Sequence, residues 1–134
     1  MQELMADRAG QTGKVRVLLV EDNGDDEFLS IWALKQAGIA QITVARDGSE
    51  ALAMLSGGTP LPGLLILDLR LPKIDGREVL RRVRDDARTS NLPVLILTSS
   101  EDIGDKDACR RYGVIDFVSK PLTAGIVARV LGLI

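Results

Sequence analysis

The chain has 134 residues, 46% of them hydrophobic and 27% charged, the balance of one globular domain large enough to build a core. Its net charge of −2 argues against a phosphate-backbone binder, which needs clustered Lys and Arg to displace counterions. A single cysteine, Cys109, excludes an intrachain disulfide and fits a reducing compartment, and the lack of histidine excludes His-based catalysis and His-metal sites.

In chain order, residues 1–14 are polar, lack the hydrophobic run of a signal peptide and read as a flexible arm before a domain spanning 15–134. Short Val, Ile and Leu runs follow at 15–20, 42–45, 64–67, 94–97 and 114–118. Runs this short and this continuous predict strands covered on both faces, as in a parallel sheet. Helical patterns lie between them at 24–37, 48–57, 76–87, 101–112 and 122–133. Asp47 with Glu50, and Asp75 with Glu78, have the spacing of helix-start capping pairs, and Gly38 and Gly113 stand where helices should end. Strand then helix, five times over, predicts an α/β domain with a doubly wound five-stranded parallel sheet and five helices. No internal repeat or low-complexity tract interrupts it. No stretch approaches the roughly 18 apolar residues of a membrane span, so a soluble cytoplasmic protein with no membrane contact is expected.

Two helices carry unusual faces. In the first, Leu29, Ala33, Leu34 and Ala37 form a core-facing stripe interrupted by Ser30, while Phe28, Ile31 and Trp32 make a second apolar group on the other side. A helix apolar on both sides must bury both, either under Leu4 and Met5 of the arm or against another protein, with Phe28 and Trp32 as anchors. In the last helix only Arg129 is charged between 126 and 134; part of this apolar surface must cover the sheet, and the remainder points to burial against a partner or to a polar continuation of the chain. By contrast, Arg77, Arg81, Arg82, Arg84 and Arg88 alternate with Glu78, Asp85 and Asp86, and read as a solvated face rather than a nucleic-acid surface.

Ligands of such sheets bind beyond the carboxyl ends of the strands. There the chain places Glu21 and Asp22 after the first strand, Asp68 after the third, Thr98, Ser99 and Ser100 after the fourth, and Lys120 then Pro121 after the fifth. Three carboxylates with no nitrogen or sulfur ligand suit Mg²⁺, which accepts one or two carboxylates plus a phosphate. Asp68 is the nucleophile such a site needs, a carboxylate able to form an acyl phosphate. Lys120 would offer a positive charge to a phosphoryl oxygen and Thr98 a hydrogen-bond donor.

The blocks Val17-Leu18-Leu19-Val20-Glu21-Asp22-Asn23, Leu67-Asp68-Leu69-Arg70-Leu71-Pro72, Leu97-Thr98-Ser99-Ser100 and Lys120-Pro121-Leu122 resemble the four signatures of response-regulator receiver domains. The resemblance covers residues 15–134 and implies a flavodoxin-like strand order 2-1-3-4-5. It also implies a single-domain regulator of a two-component system, not a metabolic enzyme, whose Asp68 takes a phosphoryl group from a sensor histidine kinase. Glu21, Asp22, Asp68 and the backbone carbonyl of Arg70 would hold Mg²⁺. Thr98 and Phe117 would form the switch pair that turns phosphorylation into a change of downstream partner or homodimer surface. Within the family, Glu-Asp-Asn at the first strand and Leu-Thr-Ser-Ser-Glu-Asp at the fourth are most similar to small stand-alone regulators of phytochrome-type kinases. Arg70, two residues past the acceptor, is expected to influence how water reaches the acyl phosphate.

Two other functions fit the architecture. A flavin-binding electron carrier would need Ser, Thr and Gly backbone donors after the first strand, where this chain has Glu21-Asp22-Asn23-Gly24-Asp25-Asp26. An aspartyl phosphatase commonly carries a second Asp two residues after the nucleophile, where Arg70 stands.

Overall fold

The computed structural model describes residues 14–57, 60–99 and 105–134. The proposed arm up to residue 13, with Leu4 and Met5, lies outside the described residues, as does the expected start of the fourth helix at 101–104. Strands β1 (Arg16–Val20), β2 (Gln41–Ala45), β3 (Leu64–Leu67), β4 (Val94–Thr98) and β5 (Asp116–Ser119) alternate with helices α1 (Gly24–Gln36), α2 (Gly48–Ser56), α3 (Gly76–Asp85), α4 (Lys106–Arg110) and α5 (Ala124–Leu131). The strands form one parallel sheet in the order β2-β1-β3-β4-β5, as expected.

Period-two alternation divides the core between the two faces of the sheet. Leu18, Val20, Leu65, Leu67, Val94 and Ile96 pack with Ala51 and Leu55 of α2, Val79, Leu80 and Val83 of α3, and Cys109 of α4. Val17, Leu19, Leu64, Ile66, Leu95 and Leu97 pack on the other face with Ala33 and Leu34 of α1 and Val127 and Val130 of α5. Both faces are covered, which explains why β3 and β4 are buried at every position.

Several boundaries depart from the sequence expectation. The fifth strand begins at Asp116 rather than 114 because Gly113 takes φ 66°, and the chain uses Val114 and Ile115 to turn into the sheet. The Asp47 cap forms as expected, its Oδ1 accepting from Glu50 N at 2.7 Å. Asp75 does cap α3, but it accepts from Arg77 N at 2.8 Å, and the Glu78 carboxylate turns instead to the Arg81 guanidinium. Gly38, at φ 93°, closes α1 with Ile39 N donating to Leu34 O at 3.0 Å. On α1 the core face is Ser30, Ala33 and Leu34, while Leu29 is 46% exposed and lies outward with Phe28 and Trp32. Helix geometry accounts for this correction, since positions 30, 33 and 34 share one face at i, i+3 and i+4. Ile31, expected in the outer group, packs against the core instead.

Candidate functional site

The hydrogen-bond ladder runs past the ends of the strands and fixes the residues that follow them. Glu21 N donates to Ala45 O, Asp68 N to Val20 O and Lys120 N to Thr98 O, at 2.9, 3.2 and 2.8 Å. The acids after β1 and β3 and the lysine after β5 are thereby brought to the carboxyl edge of the sheet. The Lys120–Pro121 peptide bond is cis. Gly76 sets the wall beneath Asp68: a Cβ there would lie 2.2 Å from the Asp68 carbonyl oxygen and 2.5 Å from Leu69 Cα. Only glycine lets α3 begin that close to the strand end.

The five expected side chains do gather. Carboxylate oxygens of Glu21, Asp22 and Asp68 lie within 4.8 Å of one another. Lys120 Nζ stands 2.8 Å from Asp68 Oδ2 and 2.7 Å from Glu21 Oε1. The Thr98 hydroxyl donates to Asp68 Oδ1 at 3.3 Å, and Arg70 N donates to the same oxygen at 3.0 Å. Glu21, Asp68 and Thr98 are buried and Asp22 is exposed, so the cluster opens to solvent on the side of Asp22. On that side a cleft of about 620 Å³ is lined by Asp22, Arg70, Pro72, Asp75, Arg77 and Asp105. Phe117 is half-buried on β5, in register with Ile96 and packed against the core on the α2–α3 side.

The electrostatics follow from two buried anions around one cation. Burial pushes the Glu21 carboxyl up to about 7; the bond to Lys120 opposes that rise and the neighbouring Asp68 charge adds to it. Burial disfavours the Lys120 ammonium, yet its hydrogen bonds to Asp68, Glu21 and Asp26 outweigh this and hold its pKa above the ordinary lysine value. Three convergent oxygen donors with no nitrogen or sulfur among them fit a hard divalent cation such as Mg²⁺.

One participant escaped the sequence reading. Asp26, on the first turn of α1, places Oδ2 2.9 Å from Lys120 Nζ. The acidic loop after β1 signalled negative charge, but only the helix start capped by Asn23 shows which of its acids reaches the lysine.

A model of the response regulator receiver domain matches residues 17–130. The chain belongs to that family. Response regulator Rcp1 of Synechocystis is 36% identical over 110 residues, covering 78% of this chain and 75% of that protein. The probable methanogenesis regulatory protein FilR2 of Methanothrix harundinacea is 40% identical over 114 residues, 80% of this chain and 72% of FilR2. Among solved structures, the bacteriophytochrome response regulator AtBRR superposes with a TM-score of 0.78 at 37% identity, covering 88% of this chain and 90% of its own. The Mn²⁺-bound form of Rcp1 gives 0.74 at 34% identity, with 89% and 91% covered. The receiver domain is a signalling module of two-component systems, not a metabolic enzyme, and the flavin-carrier alternative falls with that assignment. No helix among the described residues is long and apolar enough to cross a membrane.

Proposed function

We propose that this receiver domain accepts a phosphoryl group on Asp68 and signals through the protein surface that the modification controls. The observation that carries the reading is the setting of the Asp68 carboxylate. One oxygen meets the Lys120 ammonium, the other meets Thr98 and a backbone N–H, and two further carboxylates stand within 4.8 Å. These 134 residues contain no histidine, so a phosphohistidine donor would lie outside them. In the transfer, an Asp68 carboxylate oxygen attacks phosphorus and the P–N bond to the kinase histidine breaks. The electron pair returns to the imidazole nitrogen, and an acyl phosphate forms. Lys120 and Thr98 are placed to donate to the phosphoryl oxygens as charge accumulates on them. Glu21, Asp22, Asp68 and the Arg70 carbonyl would hold Mg²⁺, which when bound neutralises the carboxylates and lowers their repulsion of the incoming group. The Mn²⁺ held by Rcp1 supports a divalent cation here.

Water attack on the acyl phosphate returns inorganic phosphate and the free carboxylate. Arg70, exposed and lining the cleft with Asp22, would influence that water. Thr98 and Phe117 are the proposed switch pair. The likeness to the bacteriophytochrome response regulator AtBRR supports a phytochrome-type sensor kinase as donor. For output we favour a protein contact, either a downstream partner or a second copy, through Phe28 and Trp32, which are 66% and 60% exposed. Trp32→Glu should weaken that association while leaving phosphorylation by a small donor intact.

The deciding experiment is incubation with Mg²⁺ and acetyl phosphate, followed by mass measurement. A single phosphoryl adduct should form on the wild type and be lost in Asp68→Asn, and labelling that survives this substitution overturns the assignment.

A further inference from the structure

We propose that Asp26 is a positioning residue that keeps the Lys120 ammonium at the site when Glu21 and Asp68 are engaged elsewhere. An ammonium has three N–H donors. Three carboxylates stand around Lys120 Nζ, Glu21 at 2.7 Å, Asp68 at 2.8 Å and Asp26 at 2.9 Å. Two of these have second duties. Glu21 and Asp68 both belong to the cluster with Asp22 that suits a divalent cation, and Asp68 is the proposed acceptor. Asp26 lies outside that cluster and has no such competing claim.

Its own placement is secured independently of the site. Asp26 N donates to the Asn23 side chain at 2.9 Å, which caps α1 and fixes the backbone from which the carboxylate projects. The N-terminal turn of a helix favours a negative side chain. The Asp26 side chain is 35% exposed, against 1% for Glu21 and 7% for Asp68, so it sits at the rim of the site rather than in its floor. From the rim it anchors a long, flexible side chain whose freedom would otherwise be restored once the inner carboxylates turn away. An anchored ammonium meets the phosphoryl group already oriented, which is the positioning contribution to rate.

The inference rests on the assignment of Asp68 and Lys120 above, and its test separates the two. Asp26→Ala should slow phosphorylation by acetyl phosphate about three- to tenfold, the effect of losing one charge-assisted bond at a partly exposed pair. In the metal-free protein, NMR of the Lys120 ammonium should show its protons exchanging faster with water in Asp26→Ala. Asp26→Asn, which keeps an acceptor oxygen, should recover part of both effects. In a Lys120→Gln background the Asp26 change should have no further effect on the phosphorylation rate, because it acts through the ammonium. Wild-type or faster phosphorylation in Asp26→Ala, or an equal further slowing in Lys120→Gln, overturns the inference. If Asp68→Asn is still labelled, the site assignment fails; if it is unlabelled while Asp26→Ala behaves as wild type, only the role of Asp26 fails.

Discussion

Two cations in this fold each gather several oxygens, at opposite ends of the sheet, and they do so for different ends. Near the start of β4, Arg84 donates Nε to Tyr112 O at 2.6 Å and Nη1 to Leu92 O and Ser90 O at 2.7 and 3.1 Å. Beyond the carboxyl ends of the strands, Lys120 meets three carboxylates. The partners of Arg84 are neutral carbonyls that neither titrate nor exchange partners, so the guanidinium staples the end of α3 to the loop before β4 and to the turn after α4. The partners of Lys120 carry up to three negative charges against one positive, an excess that leaves the cluster open to another cation. Permanent attachment uses the planar five-donor fork, and a site that must rearrange uses a compact ammonium on a flexible stem.

The largest way to break this comparison is at the staple. Arg84→Ala strips partners from several half-buried carbonyls at once and should lower stability by about 2–4 kcal/mol, read as the urea midpoint. Phosphorylation of the folded fraction by acetyl phosphate should keep the wild-type rate. A loss of rate without loss of stability would place Arg84 in the signalling machinery and end the contrast.

The second test is at the site itself. Lys120→Gln removes the ammonium that Glu21 and Asp68 hold, so Mg²⁺ should bind about tenfold more tightly, a difference of about 1.4 kcal/mol. Calorimetric titration should be run as a pH series extending well above about 7, the value to which burial raises Glu21, because the variant loses the Lys120 bond that opposes that rise. The same variant should accept phosphate more slowly, since the phosphoryl oxygens lose their charged donor. Equal or weaker Mg²⁺ affinity would show that Lys120 and the metal do not compete for the same oxygens.

The two clusters also differ in how far they could be read before the fold was known. Glu21, Asp22, Asp68, Thr98 and Lys120 were legible because each stands at or just past the carboxyl end of an apolar strand, and parallel strands carry their ends to one edge. Arg84 was not, because its partners are backbone carbonyls and nothing in a side-chain pattern records where those point; it read as one more arginine on a solvated face. Asp26 failed for a related reason: four of the six residues from 21 to 26 are acidic, and composition alone cannot say which one the helix turn aims at Lys120. The sheet order came through family resemblance and the strand count through the five short continuous apolar runs. The start of β5 slipped because Val114 and Ile115 are as apolar as strand residues, and only the left-handed Gly113 shows that they form the turn into it.

A third cation marks the weak end of the same scale. Arg129 on α5 meets a single carboxylate, Asp116 at the start of β5, at 2.7 Å, with side chains 52% and 30% exposed. Burial raises the Asp116 carboxyl, but the Arg129 bond and the Phe117 N–H together outweigh it and hold it below its ordinary 3.8. A depressed acid contributes stability that is present above its unfolded value and is lost as the pH falls through its lower folded value. Arg129→Ala should therefore cost about 0.5 kcal/mol at neutral pH, the size expected of a screened surface pair, and the gap to wild type should close as the pH falls below 3.8. Carboxyl NMR should show Asp116 titrating higher in the variant, because burial is then opposed chiefly by the Phe117 N–H, the weaker of the two bonds that held the carboxyl down. If the gap persists once the carboxyl is protonated, Arg129 stabilises α5 through the packing of its stem rather than through charge, and of the three cations compared Lys120 and Arg84 would remain as those whose worth is set by the oxygens around them.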